Sequence, residues 1–95
     1  MKNFFVYILT NNNKTSLYIG VTNDIERRIF EHQAGRGSIF TAKYKIKHLI
    51  YLEVFDDVSR ALYREKQLKR WSRVKKEALI ETKNPNWDFL EVDYI

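Results

Sequence analysis

The segments FFVYIL (residues 4–9) and LYIGV (residues 17–21), joined through NNNK (residues 11–14), decide the fold of this 95-residue chain. Both segments consist largely of aromatic and β-branched residues, which fit the pleated surface of a strand. The asparagines between them are typical of a turn, because Asn tolerates a positive φ. Two short strands separated by turn residues predict a β-hairpin.

The hairpin brings two tyrosines together. If Asn12 and Asn13 are the central turn residues, Tyr7 lies directly opposite Tyr18 on one face of the sheet, with Cβ atoms about 5 Å apart. Gly20 points to that same face and leaves space there, which indicates close approach of a ligand, a bulge or a tight helix contact. Phenols can donate, accept or relay protons, but an ordinary tyrosine pKa of about 10 requires a nearby cation or relay partner for work as a base. The alternative is an aromatic pair that only packs.

A first helix follows the hairpin. Asn23 is a good N-cap, and Glu26 three residues later completes a capping box. Gly35 and Gly37 are predicted to end the helix. Residues 36–47 are then predicted to form a basic loop.

The remaining elements are a strand and two helices. We expect a strand over residues 48–55, a helix capped by Asp56 or Asp57 that runs to about Arg70, and a helix capped by Ser72 that ends near Asn84. Apolar residues of the tail should dock on the body of the domain: Trp87, Phe89, Leu90 and Tyr94. The order β-β-α-β-α-α predicts an α+β fold, with a three-stranded, mostly antiparallel sheet flanked by helices, as a single domain over residues 1–95.

Composition narrows the function classes. The 17 Lys and Arg exceed the 12 Asp and Glu and give a net charge of +5, which favours a polyanionic partner such as nucleic acid. The absence of cysteine excludes a disulfide framework, a thiolate zinc site and a Cys nucleophile. No apolar run is long enough to span a bilayer and no signal peptide is evident, so we expect a cytoplasmic protein without a membrane partner.

Arg28 and His32 lie four residues apart and therefore share one face of the first helix. An Arg fork can grip a phosphate, and a His can move a proton near neutral pH. The alternative is a solvated basic face, to which the neighbouring Arg27 would also belong.

Glu65 is an acid at a position that should face the core. Ala61, Leu62 and Leu68 lie four before, three before and three after it, on one helical stripe. Carboxylates are rarely buried without a partner, so Glu65 pairs with a cation, binds a metal or borders a cleft. A lone carboxylate suits Mg²⁺, and a structural ion pair is the alternative.

The segment of residues 64–76 is strongly basic, with seven Lys or Arg among its 13 residues. Such a run can follow a phosphate backbone. Its Trp71 can stack on a base or lie in the core, and we expect the core. The alternative for the cations is a solvated helix face.

Taken together, VYI (residues 6–8), YIG (residues 18–20), Arg28 ten residues after Tyr18, His32 four further on and Glu65 in a later helix resemble the GIY-YIG endonuclease family. The resemblance covers roughly residues 4–85 and is closest to the small stand-alone members. The same domain occurs in the excision-repair nuclease subunit. The sequence departs from the family pattern at three positions: Phe5 in place of Gly, Val6 in place of Ile, and Val21 where some relatives carry Lys or Ser.

The resemblance implies cleavage of DNA that depends on Mg²⁺ or Mn²⁺. Carried over to this chain, Tyr18 is the general base or proton relay, and Tyr7 positions the attacking water or a phosphate oxygen. Arg28 holds the scissile phosphate, and His32 assists proton transfer or binds phosphate. Glu65 holds the metal.

The predicted substrate-binding set comprises Gly20, Arg27, Lys43, Lys69, Arg70 and Asn84, the last as a counterpart of a late Asn in many relatives. The partner is expected to be DNA, with branched, damaged or single-stranded DNA and RNA left open. Two other functions fit the sequence: a nucleic-acid-binding module without turnover, and a protein whose basic helix faces another protein.

Overall fold

A computed structural model describes residues 2–92 and divides them into three strands and four helices. In chain order these are β1 (Phe4–Thr10), β2 (Leu17–Thr22), α1 (Ile25–Gln33), α2 (Ile39–Tyr44), β3 (His48–Phe55), α3 (Val58–Arg70) and α4 (Arg73–Lys83).

The α+β fold predicted from the sequence is confirmed. The three strands form an antiparallel sheet in the order β2-β1-β3, flanked by helices. The elements follow the predicted order β-β-α-β-α-α, with α2 as one addition inside residues 36–47, where a loop was expected. None of the helices in the described part of the chain is long and apolar enough to cross a membrane.

The register of the hairpin differs from the prediction by two residues. Tyr7 pairs with Gly20 and Leu9 pairs with Tyr18, so Tyr7 and Tyr18 are diagonal neighbours rather than direct partners. Side chains alternate between the two faces of a sheet with a period of two residues. A shift of two therefore keeps both tyrosines on one face, which is the part of the prediction that the site requires.

The register shift comes from a longer loop than a two-residue turn. The Asn11 side-chain oxygen accepts hydrogen bonds from the backbone N–H of Thr15 (2.9 Å) and of Ser16 (3.0 Å). The Asn11 carbonyl also accepts from the N–H of Lys14 at 3.0 Å. These bonds satisfy the backbone of the loop locally, so the last strand pair is Thr10 with Leu17.

The sheet separates two apolar clusters. On one face Val6, Ile8, Ile19 and Ile50 of the strands pack against three buried residues of α3 and α4, namely Ala61, Leu68 and Ile80. On the other face Tyr7 and Leu9 pack against Ile25 and Ile29 of α1, together with Ile46 and Leu49. Because β1 is the central strand and is covered on both faces, its residues from Val6 to Thr10 are all buried.

Helix α1 begins one residue later than predicted. Its N-cap is Asp24, whose side chain accepts from the N–H of Arg27 at 3.1 Å, so the assignment of Asn23 is wrong. The hydroxyl of Thr22 accepts from the N–H of Asp24 at 3.1 Å and fixes the entry of the chain. Gly35, with a φ of +78°, follows the end of the helix as predicted.

Helix α2 is the element that the sequence interpretation missed. Ser38 caps it by accepting from the N–H of Thr41, and Lys45, with a φ of 54°, ends it in the left-handed region. At six residues the helix is too short for a hydrophobic period to reveal it. The caps of the two later helices are as predicted, at Asp57 and Ser72.

The tail docks on β3 through Asn84. This buried side chain donates to the carbonyls of Ile50 (2.8 Å) and Asp88 (2.9 Å) and accepts from the N–H of Asp88 (2.9 Å). The N–H of Leu90 donates to the carbonyl of Leu49 at 2.7 Å. Docking is confirmed: Trp87 packs against the cluster of the α3 face, Phe89 stacks on His48, and Tyr94 lies outside the described residues.

The cap of α1 gives a direct test of the fold. Replacing Asp24 by Ala should lower the free energy of unfolding by about 1 kcal/mol, because an N–H of the first turn loses its acceptor. The matched change Asn23→Ala should cost less than about 0.5 kcal/mol. Urea titrations of both variants measure the difference, and equal losses would contradict the assignment of Asp24 as the cap.

Candidate active site

The hydroxyl of Tyr7 is the centre of a buried polar cluster on the α1 face of the sheet. It lies 3.1 Å from His32 Nε2 and accepts a hydrogen bond from Arg28 Nε at 3.4 Å. The Tyr7 side chain is 1% exposed, and burial is the main cause that raises its pKa to about 12, against the opposing effect of the Arg28 hydrogen bond. Tyr7 is therefore a neutral phenol at physiological pH, and its burial between His32 and Arg28 does not fit the expectation that its hydroxyl positions the attacking water or a phosphate oxygen.

Gly20 makes room for Tyr7 itself. It lies opposite Tyr7 across the β1–β2 pair, and a Cβ at this position would overlap the Tyr7 hydroxyl and ring. The expectation that Gly20 leaves open space for substrate is corrected, because the Tyr7 ring fills that space and Gly20 is buried. The close contact at Gly20 is made by the Tyr7 side chain, which was not among the alternatives raised by the sequence.

Tyr18 lies beside this cluster and is only half-buried. Its ring centroid is 6.4 Å from that of Tyr7 and 5.4 Å from that of His32, with both pairs tilted. The predicted convergence of the two tyrosines on one face is confirmed, although the two side chains occupy different environments. Tyr18 is the phenol that retains access to solvent.

Arg28 is held from three sides. Besides its bond to Tyr7, its guanidinium donates to the Glu31 carboxylate at 3.1 Å and to the carbonyl of Gly37 at 2.8 Å. Its side chain remains 29% exposed. The hydrogen bond to Tyr7 is the main cause that raises the already high pKa of Arg28, against the opposing effect of burial, so this charge persists at every physiological pH. The cluster thus holds a fixed cation with one accessible side.

His32 is a buried neutral imidazole. It is 3% exposed, with Nε2 next to the Tyr7 hydroxyl and Nδ1 3.1 Å from the hydroxyl of Thr41. Burial first, and then the charge of Arg28, lowers its pKa to about 4. The part of the prediction in which His32 binds phosphate does not fit, because both nitrogens are engaged and the ring carries no charge at neutral pH. Assistance to proton transfer through Tyr7 remains compatible with this geometry.

Glu65 lies on α3, which packs on the opposite face of the sheet from Tyr7, and among the described residues its carboxylate makes no hydrogen bond to Tyr7, Tyr18, Arg28 or His32. Its side chain is 14% exposed and lies between the buried Ala61 and Leu68, as predicted from the helical stripe, whereas Leu62 is 43% exposed and lies off that stripe. One carboxylate oxygen pairs with Lys69 Nζ at 2.8 Å. Its negative charge is close enough to Tyr7 to contribute to the raised pKa of that phenol.

A second acid on the same face of the sheet shows what a structural ion pair looks like in this fold. Glu53, also 14% exposed, receives two hydrogen bonds from Arg64 at 2.9 Å and one from the Tyr51 hydroxyl at 2.5 Å. Burial opposes its ionisation, but the Arg64 and Tyr51 hydrogen bonds prevail and lower the pKa of Glu53. Among the described residues, the partner of Glu65 is the half-exposed Lys69 alone, so its carboxylate keeps coordination capacity that Glu53 has lost.

This donor set fits a metal that is held jointly with substrate. Within residues 2–92 no group of three or more His, Asp or Glu side chains forms a preformed metal cage. Mg²⁺ commonly binds one or two carboxylates and completes its shell with water and phosphate oxygens. Glu65 offers one such carboxylate, and its ion-pair partner Lys69 is half-exposed.

The other predicted substrate-binding residues divide into two groups. The cations are exposed as expected: Arg27, Lys43, Lys69 and Arg70. Asn84 is corrected, since its side chain is buried and fully used in docking the tail on β3. Trp71 packs against the apolar cluster of the α3 face, as expected, with Arg64 and Lys75 over its ring.

Three residues around the cluster were not found from the sequence. Thr41 contacts His32, Gly37 accepts from Arg28 and lies so close to His32 that a Cβ would overlap the imidazole, and Glu31 pairs with Arg28. A signal for Thr41 existed in the spacing of Ser38 and Thr41, which is that of an N-cap and the N–H it binds.

Comparison with known proteins places this chain in a family. Residues 3–78 match the family model described as the GIY-YIG catalytic domain. The chain belongs to the GIY-YIG family. The resemblance noted from VYI, YIG and the later Arg, His and Glu is thereby confirmed.

The relatives of this GIY-YIG domain are small proteins. A UPF0213 protein of Haloquadratum walsbyi is 43% identical over 77 residues, which cover 81% of this chain and 85% of the relative. One from Syntrophus aciditrophicus is 42% identical over 86 residues, which cover 90% and 97% of the two chains. The solution NMR structure of a UPF0213 protein from Bacillus halodurans matches with a TM-score of 0.59 at 34% identity, covering 90% of this chain and 89% of the other.

The depressed pKa of His32 predicts an acid-sensitive fold. The unfolded chain takes up a proton near pH 6.5, whereas the folded chain does so near pH 4, so stability is lost as the pH falls through this window. The free energy of unfolding should drop by about 2 kcal/mol between pH 7 and pH 5 through this residue.

Urea titrations at the two pH values measure this loss. The pKa of His48 is also lowered, mainly by its burial, so His48→Gln serves as the control and should keep most of the pH dependence. His32→Gln should remove most of it. A wild-type stability that does not change between pH 7 and pH 5 would contradict the buried neutral imidazole.

Proposed function

We propose that this GIY-YIG protein is an endonuclease that hydrolyses a phosphodiester bond of DNA with the help of Mg²⁺ or Mn²⁺. The observation that carries the proposal is the cluster of Tyr7, Arg28 and His32 with Tyr18 beside it, on one face of the sheet. A fixed cation next to two phenols suits a reaction in which negative charge develops on a phosphate. The membership in a family of nuclease catalytic domains supports the same reaction class.

The two tyrosines have different roles in this proposal. Tyr7 is buried and its pKa is about 12, so it acts as a neutral hydrogen-bonding group that aligns Arg28. Tyr18 is half-buried and takes the proton of the attacking water, either as the phenolate or by passing its own hydroxyl proton to the leaving sugar oxygen. The water oxygen forms a bond to phosphorus while the bond to the leaving sugar oxygen breaks.

Arg28 provides the positive charge at the reacting phosphate. Its orientation is fixed by Tyr7, Glu31 and the carbonyl of Gly37, so little reorganisation is needed when substrate binds. Glu65 is the carboxylate that would hold the divalent ion, which when bound stabilises charge on the leaving oxygen.

The exposed cations supply the contacts to the phosphate backbone. The stretch of residues 34–47 carries four Lys or Arg and no acidic residue, and it contains α2, whose Thr41 contacts His32. The outward side of α2 presents the rings of Phe40 and Tyr44, which are 49% and 47% exposed and tilted at 52° to each other, with Lys43 above Tyr44. Aromatic rings flanked by cations are a surface that suits nucleic acid.

Nicking of supercoiled DNA tests the proposal. Wild-type protein should nick the plasmid with Mg²⁺ and not with EDTA, and Glu65→Gln should lower the rate at least about 100-fold, because the metal ligand is weakened. Glu77→Gln is a matched control, because it also removes one i,i+4 ion pair, that with Arg73, but on α4 and outside the cluster.

The outcomes separate the candidate functions. Nicking that survives in Glu65→Gln and in Arg28→Ala would contradict the proposed site and indicate a contaminating nuclease. DNA binding without nicking by the wild type on any DNA structure would favour the module without turnover. No binding at low salt would favour a protein partner.

The proposed contact between Lys43 of α2 and the phosphate backbone of DNA gives a second prediction. Lys43→Ala should weaken DNA binding and reduce the slope of log affinity against log salt by about one unit, as expected for one lost phosphate contact. Lys2→Ala, in the exposed segment before β1, is the control and should leave the slope unchanged. Fluorescence anisotropy over a salt series measures both slopes, and identical slopes for wild type and Lys43→Ala would exclude this contact.

A further inference from the structure

We propose that Thr41 is a positioning residue, which fixes the tautomer of His32 with the proton on Nδ1, so that Nε2 accepts a hydrogen bond from the Tyr7 hydroxyl. Its effect on catalysis rests on the proposed function. The tautomer itself does not, and is measurable whether or not the protein cleaves DNA.

The residues involved form a chain of buried contacts from α2 to β1. The Thr41 hydroxyl lies 3.1 Å from His32 Nδ1, and His32 Nε2 lies 3.1 Å from the Tyr7 hydroxyl. The three residues are 2%, 3% and 1% exposed. Water has little access to these groups, so each donor must find its acceptor within the chain.

The hydrogen bonds at the Tyr7 hydroxyl decide which group is the donor and which the acceptor in each of these contacts. The Tyr7 oxygen already accepts from Arg28 Nε, which is always a donor. If His32 Nε2 also carried a proton, the hydroxyl hydrogen of Tyr7 would have no acceptor among its described partners, at a cost of about 1–3 kcal/mol. With Nε2 unprotonated, Tyr7 donates to it and every group is satisfied.

The environment of Thr41 agrees with this direction. Its hydroxyl donates to the carbonyl of Ser38 at 3.3 Å. The Ser38 hydroxyl accepts from the N–H of Thr41 at 3.1 Å and lies 2.8 Å from the Thr41 hydroxyl, toward which its own hydrogen can point. The Thr41 oxygen is then an acceptor, and the proton between it and His32 belongs to Nδ1.

The same short segment braces both functional side chains of α1. The carbonyl of Gly37 accepts from Arg28, and four residues later Thr41 holds His32. Gly37 has no side chain to displace the imidazole, and the Ser38 cap sets the orientation of the first turn of α2. The carbonyl of Gly37 and the hydroxyl of Thr41 therefore align the guanidinium and the imidazole together.

Replacement of Thr41 by Val keeps the shape and removes the acceptor, whereas Thr41→Ser keeps the hydroxyl. In ¹⁵N-detected NMR of the imidazole at pH 7, the wild type and Thr41→Ser should show His32 with the proton on Nδ1. Thr41→Val should show a shift toward the Nε2-protonated form. In the nicking assay, Thr41→Val should lower kcat about 10-fold with KM little changed, and Thr41→Ser should restore kcat.

The results distinguish failure of this inference from failure of the proposed function. An Nε2-protonated His32 in the wild type, or an unchanged Nδ1 proton in Thr41→Val, would overturn the role of Thr41. A wild type that has the Nδ1 tautomer but never cleaves DNA would leave the positioning role in place and overturn the nuclease. If Thr41→Val does not fold, Ser38→Ala provides the second variant. An unchanged His32 tautomer together with an unchanged kcat in Ser38→Ala would contradict the positioning role of this segment.

Discussion

The burial of one hydroxyl group, that of Tyr7, is the constraint on which the candidate site depends. A phenol at 1% exposure in the central strand must have its donor and its acceptor satisfied by the protein. Arg28 and His32 provide these partners from one face of α1, four residues apart. Arg28 and His32 in turn need the carbonyl of Gly37 and the hydroxyl of Thr41, so the segment after α1 folds back as α2. One buried oxygen thus determines where two strands and two helices meet.

This constraint also separates the two tyrosines, which the sequence presents as a pair. Tyr7 lies in the central strand, where burial raises its pKa to about 12 and Gly20 allows its ring to pack against the neighbouring backbone. Tyr18 lies in the edge strand β2, where one side remains open to solvent. Position in the sheet, rather than residue type, therefore buries one phenol among its hydrogen-bond partners and leaves the other half-exposed. A like pair in two edge strands would not be differentiated in this way.

The sequence predicts well those properties that depend on the side-chain periodicity of strands and helices. The shared face of Tyr7 and Tyr18 survives a register error of two, because an even shift preserves the face, and the stripe that contains Glu65 follows from helical spacing. What it does not predict depends on single side-chain to backbone bonds. The Asn11 side chain sets the length of the hairpin loop, and the Asn84 side chain is used in docking the tail. Such bonds are made locally or with distant carbonyls, and no repeating pattern in the sequence records them.

The comparison of Glu65 with Glu53 carries the argument for a metal further than the family pattern does. Both side chains are 14% exposed, that of Glu65 on α3 and that of Glu53 on the face of β3 that α3 covers, so burial alone does not distinguish them. Glu53 is bound by a bidentate Arg64 and by Tyr51, and an acid satisfied in this way stabilises the contact between α3 and β3. Glu65 has a Lys partner whose flexible ammonium is 51% exposed. A carboxylate with a purely structural role would be stabilised more by a bidentate Arg. A carboxylate that binds and releases a hydrated cation with each substrate would instead require a partner that dissociates easily, as a flexible Lys does.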